Sequence, residues 1–209
     1  MFRRKKAEPG DPAGPGDDVA EAPAGPRATG PFDADEVDLP EDDESRIDLG
    51  ALLITPQEGL EVQLQADEST GQVVAAVLAG QTGAVELRAF AAPRNDDIWD
   101  DVRRQVAAEV ARMGGTATET PGPWGTELTV QLGVTLDDGQ RAQQTSKVVG
   151  ISGPRWLLRA TLFGRPAVEH QEDGDIETAL RNVVVVRGSG PVPPGDQLPM
   201  TVPPNAQRA

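Results

Sequence analysis

Four carboxylates stand close together at Asp96, Asp97, Asp100 and Asp101. Such a set can take a divalent cation, but helical spacing spreads these residues around a helix, and acids at a helix start are ordinary. The other acidic runs, Asp42-Asp43-Glu44 and Glu172-Asp173, lack the Asp-x-Asp-x-Asp-Gly order of a calcium loop. No metal ligands and no cofactor are assigned. The single histidine, His170, sits in an acidic loop with Glu169 and Glu172. A general base needs a nucleophile and an orienting group beside it, and there is no Gly-x-Ser-x-Gly elbow to supply the nucleophile. Gly188-Ser189-Gly190 runs into Pro191, which has no backbone N–H to give a phosphate. No catalytic residue is assigned. What remains is recognition chemistry. Arg155, Arg159 and Arg187 carry guanidinium forks that match phosphate geometry. Trp124, between Pro123 and Gly125, is a candidate ligand contact. The competing account pairs these arginines with surface acids. Trp99 and Trp156 each fall on the apolar face of their element and read as core.

The elements that must position these residues begin with a strand meander from Trp124 to Phe163. Leu128, Val130, Leu132, Val134 and Leu136 alternate with Glu127, Thr129, Gln131 and Thr135, which predicts one dry and one wet face. Asp137-Asp138-Gly139 and Gly153-Pro154 are turn signals. The following strand puts Trp156, Leu158, Ala160 and Leu162 on one face and Arg155, Arg159 and Thr161 on the other. With Gln131 and Lys147, those last residues form a polar sheet face that could bind a partner. It lacks the exposed aromatics of a single-stranded nucleic-acid platform. A sheet with one apolar face needs one covering layer.

Upstream, Arg46-Ile47-Asp48-Leu49-Gly50 opens the ordered region, and strands are predicted at 52–54, 60–66, 73–78 and 84–91, the third of them central. Ile98, Trp99, Val102, Val106, Val110 and Met113 recur at helical spacing, with Asn95 or Asp96 as N-cap and Gly114-Gly115 as the stop. The acids at its start and the arginines later in it are set against the helix dipole. Residues 116–120 read as a strand and 164–174 as a loop. Asp175 then caps a shorter helix with Ile176, Ala179 and Leu180 inward, and 183–186 returns to the sheet. The expected fold is α+β: a mostly antiparallel sheet with one long and one short helix.

Residues 1–44 are rich in Pro, Gly, Ala and acid, the composition of a disordered leader. Within them Gly30-Pro31-Phe32-Asp33, with Val37 and Leu39, could lie on the domain as an extended arm, and both outcomes stay open. Residues 45–188 form the domain, and 189–209 a Pro-rich C-terminal arm with Leu198, Met200 and Val202 spaced for docking. The chain has 209 residues and a formal charge of -15. Residues 1–46 carry 6 basic and 13 acidic side chains, so the remainder is acidic too. Bulk attraction to phosphate backbones is therefore absent, and nucleic acid is not a favoured partner. Arg3, Arg4, Lys5 and Lys6 could touch an anionic membrane, at roughly 1 kcal/mol per basic residue. No apolar stretch follows them to complete a signal peptide, and none is long enough to span a bilayer. There is no cysteine, hence no disulfide and no thiolate chemistry, which fits a reducing cytoplasm.

Arg46 to Gly50, Gly153-Pro154-Arg155-Trp156-Leu157-Leu158-Arg159, Gly164-Arg165-Pro166-Ala167 and Val183-Val184-Val185-Val186-Arg187-Gly188, in that order, resemble the actinobacterial family named domain of unknown function 3710. The resemblance spans roughly Gly30 to Pro203. It implies a cytoplasmic protein encoded near a dUTP pyrophosphatase, and it supplies no functional residues. The order of elements is also similar to PsbP-like and Mog1-like domains, a likeness of topology alone. The expected function is a non-enzymatic cytoplasmic interaction module with a protein partner or a second copy of itself. The alternatives are a nucleotide- or phosphate-binding protein or enzyme with a dispersed site, and association with an anionic membrane through the basic N-terminus.

Overall fold

Short apolar alternations separated by Gly- and Pro-bearing turns fold into two sheets, with strands β1 (Phe32–Asp33), β2 (Ile47–Asp48), β3 (Leu52–Ile54), β4 (Glu61–Ala66), β5 (Val73–Ala79), β6 (Gly83–Ala91), β7 (Thr116–Gly122), β8 (Gly125–Thr135), β9 (Arg141–Gly153), β10 (Trp156–Gly164) and β11 (Val184–Val185). The helices are α1 (Trp99–Arg112), α2 (Arg165–Val168) and α3 (Asp175–Arg181). The computed structural model describes residues 27–40, 45–94, 96–135 and 139–203. The main sheet runs β4-β5-β6-β10-β9-β8-β7, antiparallel throughout. A second sheet, β1-β11-β3-β2, contains one parallel pair, β1 with β11. The predicted α+β class and its antiparallel sheet are the observed ones.

The expectation of a single apolar face is corrected. Cross-strand partners share a face, and Leu128 pairs with Val148, which pairs with Thr161. The Leu128 stripe therefore lies on the face opposite Trp156. Trp156, Leu158, Ala160 and Leu162 pack with Leu87 and Ala89 against Leu52, Ile54, Ile176, Leu180 and Val185. Leu128, Val130, Val148 and Leu157 pack against Trp99 and Val110 of α1. Each strand's own alternation is visible in sequence, but which stripes share a face depends on register. Full burial of Leu157 on one side and Leu158 on the other contributes roughly 1.5–3 kcal/mol each. Close approach decides two glycines. A Cβ on Gly150 would strike the Trp99 ring, and one on Gly153 the Trp156 ring.

Other differences have local causes. Glu127, expected on the wet face, is 1% exposed on the Trp156 side, where its Oε1 accepts from the Trp124 N–H at 3.2 Å and Lys147 Nζ lies 3.5 Å from Oε2. Helix α1 starts later than Asp96. Its N-cap is Ile98, and Asp97 Oδ1 accepts from the Trp99 N–H at 2.8 Å and from Ser152 Oγ at 2.7 Å. Asn95, Leu136 and the Asp137-Asp138 of the predicted turn lie outside the described residues. Met113, expected on the apolar stripe, is exposed. The loop expected at 164–174 contains α2, opened by Gly164 at φ 74° and by Pro166 in the first turn. Asp175 is the first residue of α3, whose N-cap is Gly174, without a side-chain cap.

Part of the segment expected as leader is folded. Asp33 caps a 3-10 turn at Ala34–Glu36 in a reciprocal box, its side chain accepting from Asp35 N–H at 2.9 Å while Glu36 accepts from Asp33 N–H at 2.7 Å. Arg27 chelates Glu36 at 2.5 and 2.8 Å. Asp33 Oδ2 accepts from the Trp156 indole N–H at 2.6 Å inside the core. Residues 1–26 and 41–44 lie outside the described residues.

The C-terminal arm is docked as well. β5 and β6 pair only from Ala76–Ala79 to Ala84–Leu87, and beyond that the strands part. The arm fills the gap, with Leu198 N–H on the Ala89 carbonyl at 2.9 Å and Gln197 Nε2 on the Val74 carbonyl at 2.7 Å. Leu198 and Met200 are buried, whereas Val202 is 58% exposed.

Candidate functional site

The sequence candidates scatter. Asp100 pairs with Arg103 at 2.9 Å, Asp101 with Arg104, and Asp97 with Ser152. Among the described residues, no group of three or more His, Asp or Glu side chains is placed to hold a metal ion. His170 Nδ1 lies 3.9 Å from Glu177 Oε1, beside a cavity of about 130 Å³ lined by Arg165, Glu169, Asp173 and Glu177. Its lining carries four carboxylates against one arginine, and the one hydroxyl lining it is that of Thr82.

Arg155 and Arg187 do meet, but through backbone. Arg155 closes the β9–β10 hairpin at φ 61°, and its carbonyl accepts from the Ala92 N–H at 2.8 Å and from Arg187 Nε at 3.2 Å. Arg187 also donates to the carbonyls of Gly190 and Val192, both at 3.3 Å, and so fastens the start of the arm. Trp124 sits in the two-residue β7–β8 turn and is 7% exposed, its ring in the main core. The polar surface read from sequence is split. Lys147 pairs with Leu162 and Thr129, so Lys147, Thr129 and Gln131 share the Trp156 side, while Arg159 and Thr161 lie on the other.

Arg159 stands apart. It is directly opposite Arg88 in the β10–β6 register. Like charges so placed oppose the pairing. Arg88 has an acceptor in Glu86 at 2.8 Å. Arg159 has none among the described residues: its Nε is buried and unbonded, and its guanidinium lies 5.4 Å from the centre of the Phe90 ring. Burial, and then the Arg88 charge, lower the Arg159 pKa from its ordinary value, against Glu86 and Glu109, which raise it. Guanidinium nevertheless stays charged in proteins.

Helix α1 is seated over β7, β8 and β9. On the same face Val77, Glu86, Arg88, Thr161 and Phe163 of β5, β6 and β10 are half-buried, and Phe90 packs at the edge of the α1 cluster. Sequence reasoning missed Arg88 and Phe90. The available signal was the inward Val85, Leu87 and Ala89 series, which turns Glu86, Arg88 and Phe90 outward together. Among the described residues no helix is long and apolar enough to cross a membrane.

Fold and site together define an α+β module whose main sheet carries an apolar cluster on each face, with α1 over β7–β9 on one of them. The sequence matches the family described as Protein of unknown function (DUF3710) over residues 30–209, and the chain belongs to that family. No curated protein matches it. Among solved structures, the chain is similar to cyanobacterial PsbP (CyanoP) from Synechocystis sp. PCC 6803, at 12% identity and a TM-score of 0.36, over 67% of this chain and 91% of that one.

Proposed function

We propose that the chain is a cytoplasmic, non-enzymatic interaction module that docks a protein partner on the uncovered half of its main sheet, beside α1. One observation carries this reading: a single face of one sheet is covered by α1 and its apolar cluster over β7–β9 and at Leu157, and left half-buried at Val77, Glu86, Arg88, Thr161 and Phe163. That part and its border with α1 bring the apolar Val77, Phe90 and Phe163 together with Arg88 and Arg159, a combination enriched where proteins meet. The partner chemistry that complements it is an apolar segment bearing an acidic side chain.

A photo-crosslinking amino acid placed at Val77 or Thr161, in cells that make the full chain, tests the proposal. One product shared by both positions and absent from a control at Gln171 is the expected result. Equal labelling at Gln171, or no product at either face position, overturns the reading.

A further inference from the structure

The geometry points to a carboxylate-binding site at Arg159, with Arg88 opposite it and Phe90 beneath it, that takes an acidic side chain of the partner. This rests on the docking surface above and names the chemistry at its border with α1. The described structure contains its own controls. Three arginines stack on aromatic rings: Arg27 on Trp156 at 5.3 Å, Arg103 on Trp99 at 5.9 Å, and Arg159 on Phe90 at 5.4 Å. Arg27 holds Glu36 at 2.5 Å, and Arg103 holds Asp100 and Glu119 at 2.9 and 2.7 Å. The fold thus completes an aromatic-arginine stack with a carboxylate twice, and leaves the third without one. That third guanidinium stacks on its ring with Nε buried and unbonded, which leaves its outer Nη donors to meet a carboxylate. A planar fork stacked in this way matches a carboxylate.

Charge selects between oxyanions. Arg159 and Arg88 are offset by Glu86 and Glu109, the two carboxylates that act on Arg159. The surroundings are close to neutral on an acidic chain, so a singly charged carboxylate is accommodated. A phosphate group carrying about -1.5 to -2 meets two nearby acids.

The test follows the Arg159 Nε–H resonance of the ¹⁵N-labelled full chain during titration with acetate, inorganic phosphate and chloride at constant ionic strength. The expected result is a saturable shift with acetate, a weaker one with phosphate and none with chloride. Arg159→Met, followed through the Phe90 amide, weakens acetate binding by roughly 10- to 100-fold, as expected for a charged hydrogen bond. An unsaturable acetate response, or tighter binding of phosphate, overturns the inference. The crosslinked partner separates this from the docking proposal. If the Thr161 crosslink forms equally in Arg159→Met, the carboxylate anchor is wrong and the docking surface stands. If acetate saturates but no partner crosslinks, the anchor stands and the docking reading falls.

Discussion

Replacing Arg159 by Met should make the free protein more stable. The arginine leaves a buried Nε–H unbonded and faces Arg88 across the strand pair. An unsatisfied buried donor costs about 1–3 kcal/mol. Removing the guanidinium loses its stacking on Phe90, about 0.5–1 kcal/mol, and part of that returns because a thioether also packs well on a ring. It also loses attraction to Glu86 and Glu109, about 0–1 kcal/mol for partly exposed pairs. The net gain is about 1 kcal/mol, which corresponds to roughly 2–4 °C in Tm for a chain of this length. Calorimetry measures that shift, and urea unfolding with an unchanged m-value shows that it arises in the native state. Arg159→Lys keeps the charge in a more strongly hydrated form and should not share the gain. A drop of about 2 °C or more in Arg159→Met would refute the reasoning, because it would mean that Arg159 is a structural pillar rather than an unmatched donor.

Two further outcomes follow from the geometry. Trp156→Phe removes the indole donor from Asp33 Oδ2, inside the core, and should cost about 1–3 kcal/mol. Hydrogen exchange should quicken over 32–37 before it does over β9, and unchanged protection there would show that the anchor lies elsewhere. Asp67 is held at a pKa of about 2 by the Ser69 hydroxyl, the Thr70 N–H and the Thr70 hydroxyl. Its folded pKa is depressed, so its contribution to stability is present above the ordinary aspartate value and is lost as pH falls through about 2. A carboxyl ¹³C titration should show that midpoint. A value near the ordinary ~3.9 would remove the turn's hold on the carboxylate.

The strands were legible because each carries its own period of two, and Val85, Leu87 and Ala89 turned inward as their spacing requires. The pairing of stripes across strands was not legible, so two apolar faces read as one and Lys147 and Arg159 as neighbours. Helix α2 was hidden because four residues are too few for a periodic signal. The fold of Arg27–Pro40 was hidden for a different reason. Its stability comes from Arg27, Asp33 and Glu36 meeting a tryptophan 123 residues away, and composition registers only the acids and prolines. Arg159 could be named from its residue type. Its lack of an acceptor could not, because that depends on what β6 places opposite.

An unmatched guanidinium on a half-covered face also limits how such a site would work. Only Nε of Arg159 is already out of water, so docking must still strip water from its outer donors. The incoming carboxylate must still lose its own water, and it approaches Glu86 and Glu109 as well as the arginines. Charge pairs of this kind set register and partner choice more than they set affinity. Affinity must then come from apolar contact on Val77, Phe90 and Phe163, and the arginine decides which apolar segment fits. A hydrophobic segment without an acid leaves Arg159 buried and unbonded, at greater cost than in the free protein, where its outer donors reach water. The same residue that weakens the free fold would thus reject the wrong partner. That combination would explain an arginine at a position where methionine would stabilise the fold.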